Sequence, residues 1–307
     1  MHFKKYMHYY NALNIYLHNF FMFIICKLMK NKIKKFAVLG HPISHSLSPK
    51  IHFLFAKEFS IDLEYKKFDI NQDNFVDNIK RLEREGYAGL NITLPLKNNA
   101  FQICNEVSER ASLCESVNTI IFSDNKIFGD STDGRGLVTD LKNKNIDIKN
   151  KNILLVGAGG AANGVIYDLV QGKPKQILLA NRTFIKAIKM KDYWKKFSDK
   201  HKVIIESIDL NYSHKINFDL IINATSASIT SHDSPIPAAT FNFLNNKGAC
   251  YDMMYGTETP FMRCASKKTD AVYSGLGMLI EQAAVSFNIW HQVKPTTKKV
   301  GELLKSL

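Results

Sequence analysis

The sequence predicts an α/β protein of two domains with mostly parallel sheets. Three observations predict it. Short apolar runs alternate with helical patterns along the chain, as expected of parallel strands joined by crossover helices. One apolar run, Ile153-Leu154-Leu155-Val156, ends in the glycine turn Gly157-Ala158-Gly159-Gly160-Ala161-Ala162. Roughly twenty residues later a second run, Ile177-Leu178-Leu179-Ala180, ends in Asn181-Arg182-Thr183. The length, 307 residues, fits one large domain or two ordinary ones.

Residues 1–28 look foreign to the rest, with no Asp or Glu and many aromatic, Asn and His residues. Their apolar stretch at 20–26 is too short to span a bilayer, and no small-residue cleavage site follows it. Met29 is the expected natural start, which makes 1–28 a translated upstream segment or a disordered tail. The rival reading is a membrane-surface anchor. The next segment, 36–40, reads as a strand, and the loop 41–48 follows it. Pro49 then opens a helix to about 59, because proline suits the first helical turn. Residues 63–70 alternate and read as a strand, and 75–85 read as a helix. A strand at 89–93 is stopped by Pro95. A helix from about 98 to 107 and short strands at 119–122 and 126–129 complete the first unit.

The second unit begins near Asp133 with a helix across 137–144, then the strand at 153. Later strands fall at 203–206, 220–223 and 249–253, with a last short one at 271–273. The apolar segment 278–290 reads as a helix that returns to pack on the first unit. The expected domains are therefore 29–132, completed by 276–307, and 133–275.

The glycine turn specifies a dinucleotide. Gly157 and Gly159 permit a tight turn and close approach of backbone N–H groups to a pyrophosphate, with Ala158, Gly160 and Ala161 beside them. Ala162 lets helix and strand pack closely, and the helix offers its N-terminus to the anion. An acidic residue after the second strand would hold a ribose 2′-hydroxyl and repel a 2′-phosphate. Here Asn181 and Arg182 stand instead, and a guanidinium binds phosphate bidentately. The expected cofactor is NADP(H). A glycine turn of another α/β class, such as a methyltransferase, would expect an acid near 181.

Composition excludes several classes. The net charge is +13, but the lysines are scattered, with no basic stripe interleaved with aromatics. Nucleic-acid binding is not expected. The five cysteines form no C-x-x-C pair, which fits reduced thiols in a cytoplasmic protein. His41 and His45 are separated by Pro42, so they form no helical metal pair. No metal site and no membrane partner are expected, and the chain is expected to act as a monomer or homodimer.

Four more segments concentrate polar side chains beside strand ends. They are Ser44-His45-Ser46-Leu47-Ser48-Pro49, Asn91-Ile92-Thr93-Leu94-Pro95-Leu96-Lys97, Ser116-Val117-Asn118-Thr119 and Gly129-Asp130-Ser131-Thr132-Asp133-Gly134. Hydroxyls, an amide, a lysine and a carboxylate suit a small polyhydroxylated acid. With the glycine turn, Asn223-Ala224-Thr225-Ser226, Tyr251-Asp252-Met253-Met254-Tyr255 and the stretch from Gly275 to Gln282, these segments resemble the shikimate dehydrogenase family over about 33–307. That family reduces 3-dehydroshikimate to shikimate with NADPH, on the way to chorismate and aromatic amino acids. It pairs an N-terminal substrate domain with a Rossmann-type NADP domain.

The resemblance implies that Lys97 and Asp133 are the catalytic pair. Hydride delivery to a ketone builds charge on the carbonyl oxygen and needs a proton donor in place. It places Ser46 and Ser48 on the substrate carboxylate and Thr93, Asn118 and Gln282 on the ring hydroxyls, with Tyr255 nearby. On their own the two serines would read as a helix cap. Asn181, Arg182 and Thr183 match the adenosine-phosphate clamp, with Lys186 as a second basic residue or a solvated helix lysine. Thr225, Met253 and Gly275 match the nicotinamide end. The chain departs from the family at Leu96, where Phe is common, at Asn163, where Arg is common, and at Glu281, where a small residue is frequent. A quinate-using relative is the nearest alternative, but Ser48 and Asn181-Arg182 favour the biosynthetic type. A non-catalytic NADP sensor would be expected to lack Lys97 or Asp133.

Overall fold

The computed structural model describes residues 33–210, 216–227 and 233–305. The expected extension at 1–28 lies outside them. Two six-stranded sheets organise the described residues. The first is built from β1 (Lys34–Gly40), β2 (Leu63–Asp69), β3 (Tyr87–Ile92), β4 (Glu106–Val107), β5 (Thr119–Ser123) and β6 (Lys126–Asp130), in the order β2-β1-β3-β5-β6-β4. Strands β1, β2 and β3 are parallel, and β5 runs antiparallel to both β3 and β6. The helices of this part are α1 (Ser48–Glu58), α2 (Phe75–Arg84), α3 (Lys97–Ile103) and α4 (Glu109–Cys114).

α5 (Asp133–Asn143) leads to the second sheet. Its strands are β7 (Asn152–Val156), β8 (Gln176–Ala180), β9 (Ile204–Ile208), β10 (Phe218–Asn223), β11 (Leu244–Asp252) and β12 (Val272–Ser274). The order β12-β11-β10-β7-β8-β9 is wholly parallel, the doubly wound arrangement of dinucleotide-binding sheets. α6 (Gly160–Gln171), α7 (Phe184–Lys200) and α8 (Pro260–Ala265) belong to it. α9 (Leu276–His291) and α10 (Thr297–Lys305) then return to the first sheet's side, where Ile280, Ala283 and Phe287 pack with Ile51 and Phe55 of α1.

Three expected elements need correction. The helix expected over 98–107 starts at Lys97 and ends at Ile103, because Glu106 and Val107 pair with β6. A separate short helix, α4, follows, and Ser108 caps it by accepting from Ala111 N at 3.2 Å. The helix expected over 137–144 starts earlier, at Asp133. The serines before Pro49 do not cap α1, whose N-cap position is Leu47 with no side-chain bond.

Candidate active site

Register across the second sheet aligns the cofactor residues. Ile208, Ala180, Val156, Asn223, Asp252 and Ser274 form one row across all six strands. One residue further on, Asn181, Gly157, Met253 and Gly275 stand at the carboxyl ends, where such sheets bind ligands. Gly157 has φ +116°, and a Cβ there would press on the Ala224 carbonyl at 3.1 Å. Thr225 is held by the Asn223 side chain, donating from Oγ1 at 2.8 Å. A Cβ at Gly275 would strike the Met253 backbone.

The turn fits a pyrophosphate on a structural criterion. A Cβ built at Gly159 or Gly160 meets no atom within 4 Å. Bare backbone therefore faces open space at the N-terminus of α6, beside Ala158 and Ala161. Asn181 Nδ2 donates to Thr183 O at 2.9 Å, which fixes the bend after β8. Arg182 is exposed and has no salt bridge among the described residues. It lines a cleft with Asn181, Phe184, Asp209, Leu210 and Pro237. Lys186 lies exposed in the first turn of α7. The fit is to a phosphorylated dinucleotide, with a cation at the adenosine end and open backbone at the turn.

The first sheet gathers the other predicted residues. β3 runs into cis-Pro95 and α3, which starts at Lys97. Lys97 Nζ meets Asp133 Oδ2 at 2.5 Å. Asn118 Nδ2 donates to Asp133 Oδ1 at 2.9 Å, to Thr132 Oγ1 at 2.9 Å and to Gln282 Oε1 at 3.2 Å. A lysine, a carboxylate and two amides from four separate segments thus form one hydrogen-bonded group. The segment leading to Asp133 is pinned at Asp130, which takes Arg110 on both carboxylate oxygens at 2.8 and 2.6 Å. Burial pushes the Asp130 carboxyl up, but the Arg110 guanidinium outweighs it and holds it below its usual value.

Ser46 and Ser48 make no hydrogen bond to that cluster among the described residues. Ser46 Oγ donates to Ser48 Oγ at 3.2 Å and accepts from the Ser48 N–H at 3.3 Å. Tyr65 donates to Asn91 Oδ1 at 2.7 Å, and Asn91 Nδ2 donates to Asn118 O at 3.2 Å. Thr119 and Ser286 close the network, at 2.8 Å from each other. Tyr65, Asn91, Thr119 and Ser286 were missed as site residues. Asn91 and Thr119, inside polar segments beside strand ends, carried a sequence signal, and Tyr65 and Ser286 did not. Thr93 follows β3, and its methyl occupies the space that a Cβ at Gly40 would need. Tyr255 is half-buried and, among the described residues, makes no hydrogen bond to the Lys97 group. Burial raises its hydroxyl above the usual value. α9 joins the two halves, since Gly275 precedes it and Gln282 lies about 10 Å along its axis.

Comparisons with known proteins show the family. A family model described as the shikimate dehydrogenase substrate binding domain matches residues 38–120. One for shikimate / quinate 5-dehydrogenase matches 140–233, and one for the shikimate 5′-dehydrogenase C-terminal domain matches 275–304. The chain is 44% identical over 268 residues to a shikimate dehydrogenase (NADP(+)) of Vesicomyosocius okutanii, covering 87% of this chain and 97% of the relative. It is 41% identical to one from Colwellia psychrerythraea, covering 89% and 96%. The crystal structure of shikimate 5-dehydrogenase from Thermus thermophilus in complex with NADP(H) and shikimate superposes with a TM-score of 0.79. It is 29% identical and covers 89% of this chain and 99% of that one. With identity at this level over nearly its whole described length, the chain belongs to the NADP-dependent shikimate dehydrogenase family.

Proposed function

We propose that the protein reversibly reduces 3-dehydroshikimate to shikimate with NADPH, in the cytoplasm, and that Lys97 is the acid/base. The observation that carries the reading is the Lys97–Asp133–Asn118–Gln282 group. It lies one helix, α9, from the strand ends that fit the cofactor. When bound, NADPH supplies the hydride. As charge builds on the ketone oxygen, the Lys97 ammonium gives a proton, and in the reverse direction the amine takes one. Asp133 fixes the ammonium by its 2.5 Å contact and offsets its charge. Asn118 and Gln282 orient the neighbouring ring hydroxyls, with Thr93 and Tyr255. Ser46 and Ser48 bind the substrate carboxylate. Gly157 to Ala161 hold the pyrophosphate, Asn181, Arg182, Thr183 and Lys186 the adenosine phosphate, and Thr225, Met253 and Gly275 the nicotinamide. Residues 29–132 with 276–307 form the substrate domain, and 133–275 the NADP domain. Among the described residues no helix is long and apolar enough to cross a membrane.

The test is loss of NADPH absorbance with 3-dehydroshikimate, run beside NADH, and beside quinate with NADP⁺ or NAD⁺. Expected is NADPH-dependent turnover that falls about 100- to 10,000-fold in Lys97→Ala with the melting temperature kept. Folded protein that binds NADPH without turnover would overturn the assignment and favour a sensor.

A further inference from the structure

Asp140 and Tyr251 form a buried joint that the proposed chemistry leaves unused. Asp140 lies on α5, about two turns beyond Asp133. Tyr251 lies on β11, just ahead of Met253. Tyr251 Oη donates to Asp140 Oδ2 at 2.7 Å and accepts from the Met278 N–H of α9 at 3.3 Å. Lys144 Nζ pairs with Asp140 Oδ1 at 2.6 Å. The helix that starts at Asp133, the strand that leads to Met253 and the helix that carries Gln282 therefore meet at one phenol and one carboxylate.

The joint is tight. Tyr251 is 0% and Asp140 4% exposed. A Cβ at Gly277 would strike the Asp140 carboxylate, and one at Gly136 would lie 2.7 Å from Gln282 Cβ. α5 and α9 thus cross backbone to side chain, with no slack to absorb a shift. Burial, and then the Asp140 carboxylate, push the Tyr251 hydroxyl far above its ordinary value, so it stays a donor at working pH. These two helices are also the two passages of the chain between the sheets.

We propose that Asp140 and Tyr251 are positioning residues that set the offset between the Lys97–Asp133 pair and the nicotinamide-side strand end. The proposal rests on the functional reading above. A helix carries displacement along its length, so slack at Asp140 moves Asp133 relative to Met253. Hydride transfer is sensitive to such shifts, and a misplacement of about 1 Å costs up to roughly 100-fold in rate. Ser46 and Ser48 lie at the start of α1, away from the joint, whereas Asn118 bonds Asp133 and Gln282 and shares any shift of α5 and α9.

The test compares Tyr251→Phe, Asp140→Asn and Asp140→Ala with the parent. Tyr251→Phe should still bind shikimate in NADP-free protein, because Ser46 and Ser48 are untouched. Its amide exchange over 133–143 should rise without cofactor, its kcat should fall about tenfold, and its isotope effect with deuterated NADPH should rise. Asp140→Asn, whose amide oxygen still accepts the Tyr251 hydroxyl, should keep more kcat than Asp140→Ala. A lower melting temperature with parental kcat, isotope effect and exchange would overturn the proposal, since that is what a purely structural bond predicts. A parent that fails to reduce 3-dehydroshikimate would sink the functional reading instead, and exchange in the NADP-free protein would then decide the joint.

Discussion

Arg182 is the exposed residue to which the proposed function gives the 2′-phosphate. It stands just past the end of β8, where an acid would select a free ribose. A bidentate guanidinium–phosphate contact contributes about 1.5–3 kcal/mol. Arg182→Ala should therefore raise the KM for NADPH roughly 10- to 100-fold and leave the KM for NADH nearly unchanged. Initial rates with both nucleotides check this. His52 carries a different kind of prediction. It is buried, stacks on Tyr65 with ring centroids 4.5 Å apart, and neither ring nitrogen has a hydrogen-bond partner among the described residues. Burial, and then the charge of His291, lower its pKa to about 3. The folded protein keeps it neutral while the unfolded chain protonates it at about 6.5. Its stabilising effect is complete above that value and is lost as pH falls toward about 3, at up to about 1.4 kcal/mol per pH unit. Asp168, Asp252 and Glu281, raised by burial, act in the opposite sense. They are common to parent and variant, so the acid limb of urea stability should flatten in His52→Phe. An unchanged limb would show that His52 does not titrate with unfolding.

The glycine turn after β7 separates two jobs that single elements often combine. Gly157 has φ +116° and a crowded Cβ position, whereas Gly159 opens onto free space. Gly157→Ala should lower stability by about 1–3 kcal/mol. Gly159→Ala should keep the parental melting temperature and weaken NADPH binding, since its methyl meets the ligand rather than the protein. Calorimetry of both variants distinguishes anion binding from folding. This element was legible in the sequence because backbone conformation, strand burial and the next strand's polar end all leave residue signatures. α4 was not legible. Cys104 to Val107 carries no proline or glycine to break the helical pattern, and the break comes from pairing with β6, which is a tertiary event. Ser108, its cap, was the available local signal. Likewise Ser286 reads as an ordinary polar residue until α9 brings its hydroxyl to Thr119 of β5.

At the scale of the whole molecule, α9 holds the first sheet's outer face. Phe287 is fully buried against Phe55, with ring centroids 5.6 Å apart. Trp290 stacks on Phe36 of β1 at 4.5 Å and donates from Nε1 to Ile120 O at 3.0 Å. Phe287→Ala should lower stability by about 3–5 kcal/mol, while turnover per folded molecule stays near the parental value. Urea unfolding beside kinetics checks both halves. The sequence showed an apolar helix at 278–290 and its return, but not which helix it meets, because the 3.6-residue period marks a face without naming a partner. That return has a consequence for how the protein is made. A ribosome emits β1 and α1 long before α9, so the first sheet's outer layer waits for its closing helix. The second sheet, whose strands are contiguous, emerges complete before that helix does. Of the two sheets, the one begun earlier is thus finished later, and nascent chains have most need of shielding while α1 lacks its cover.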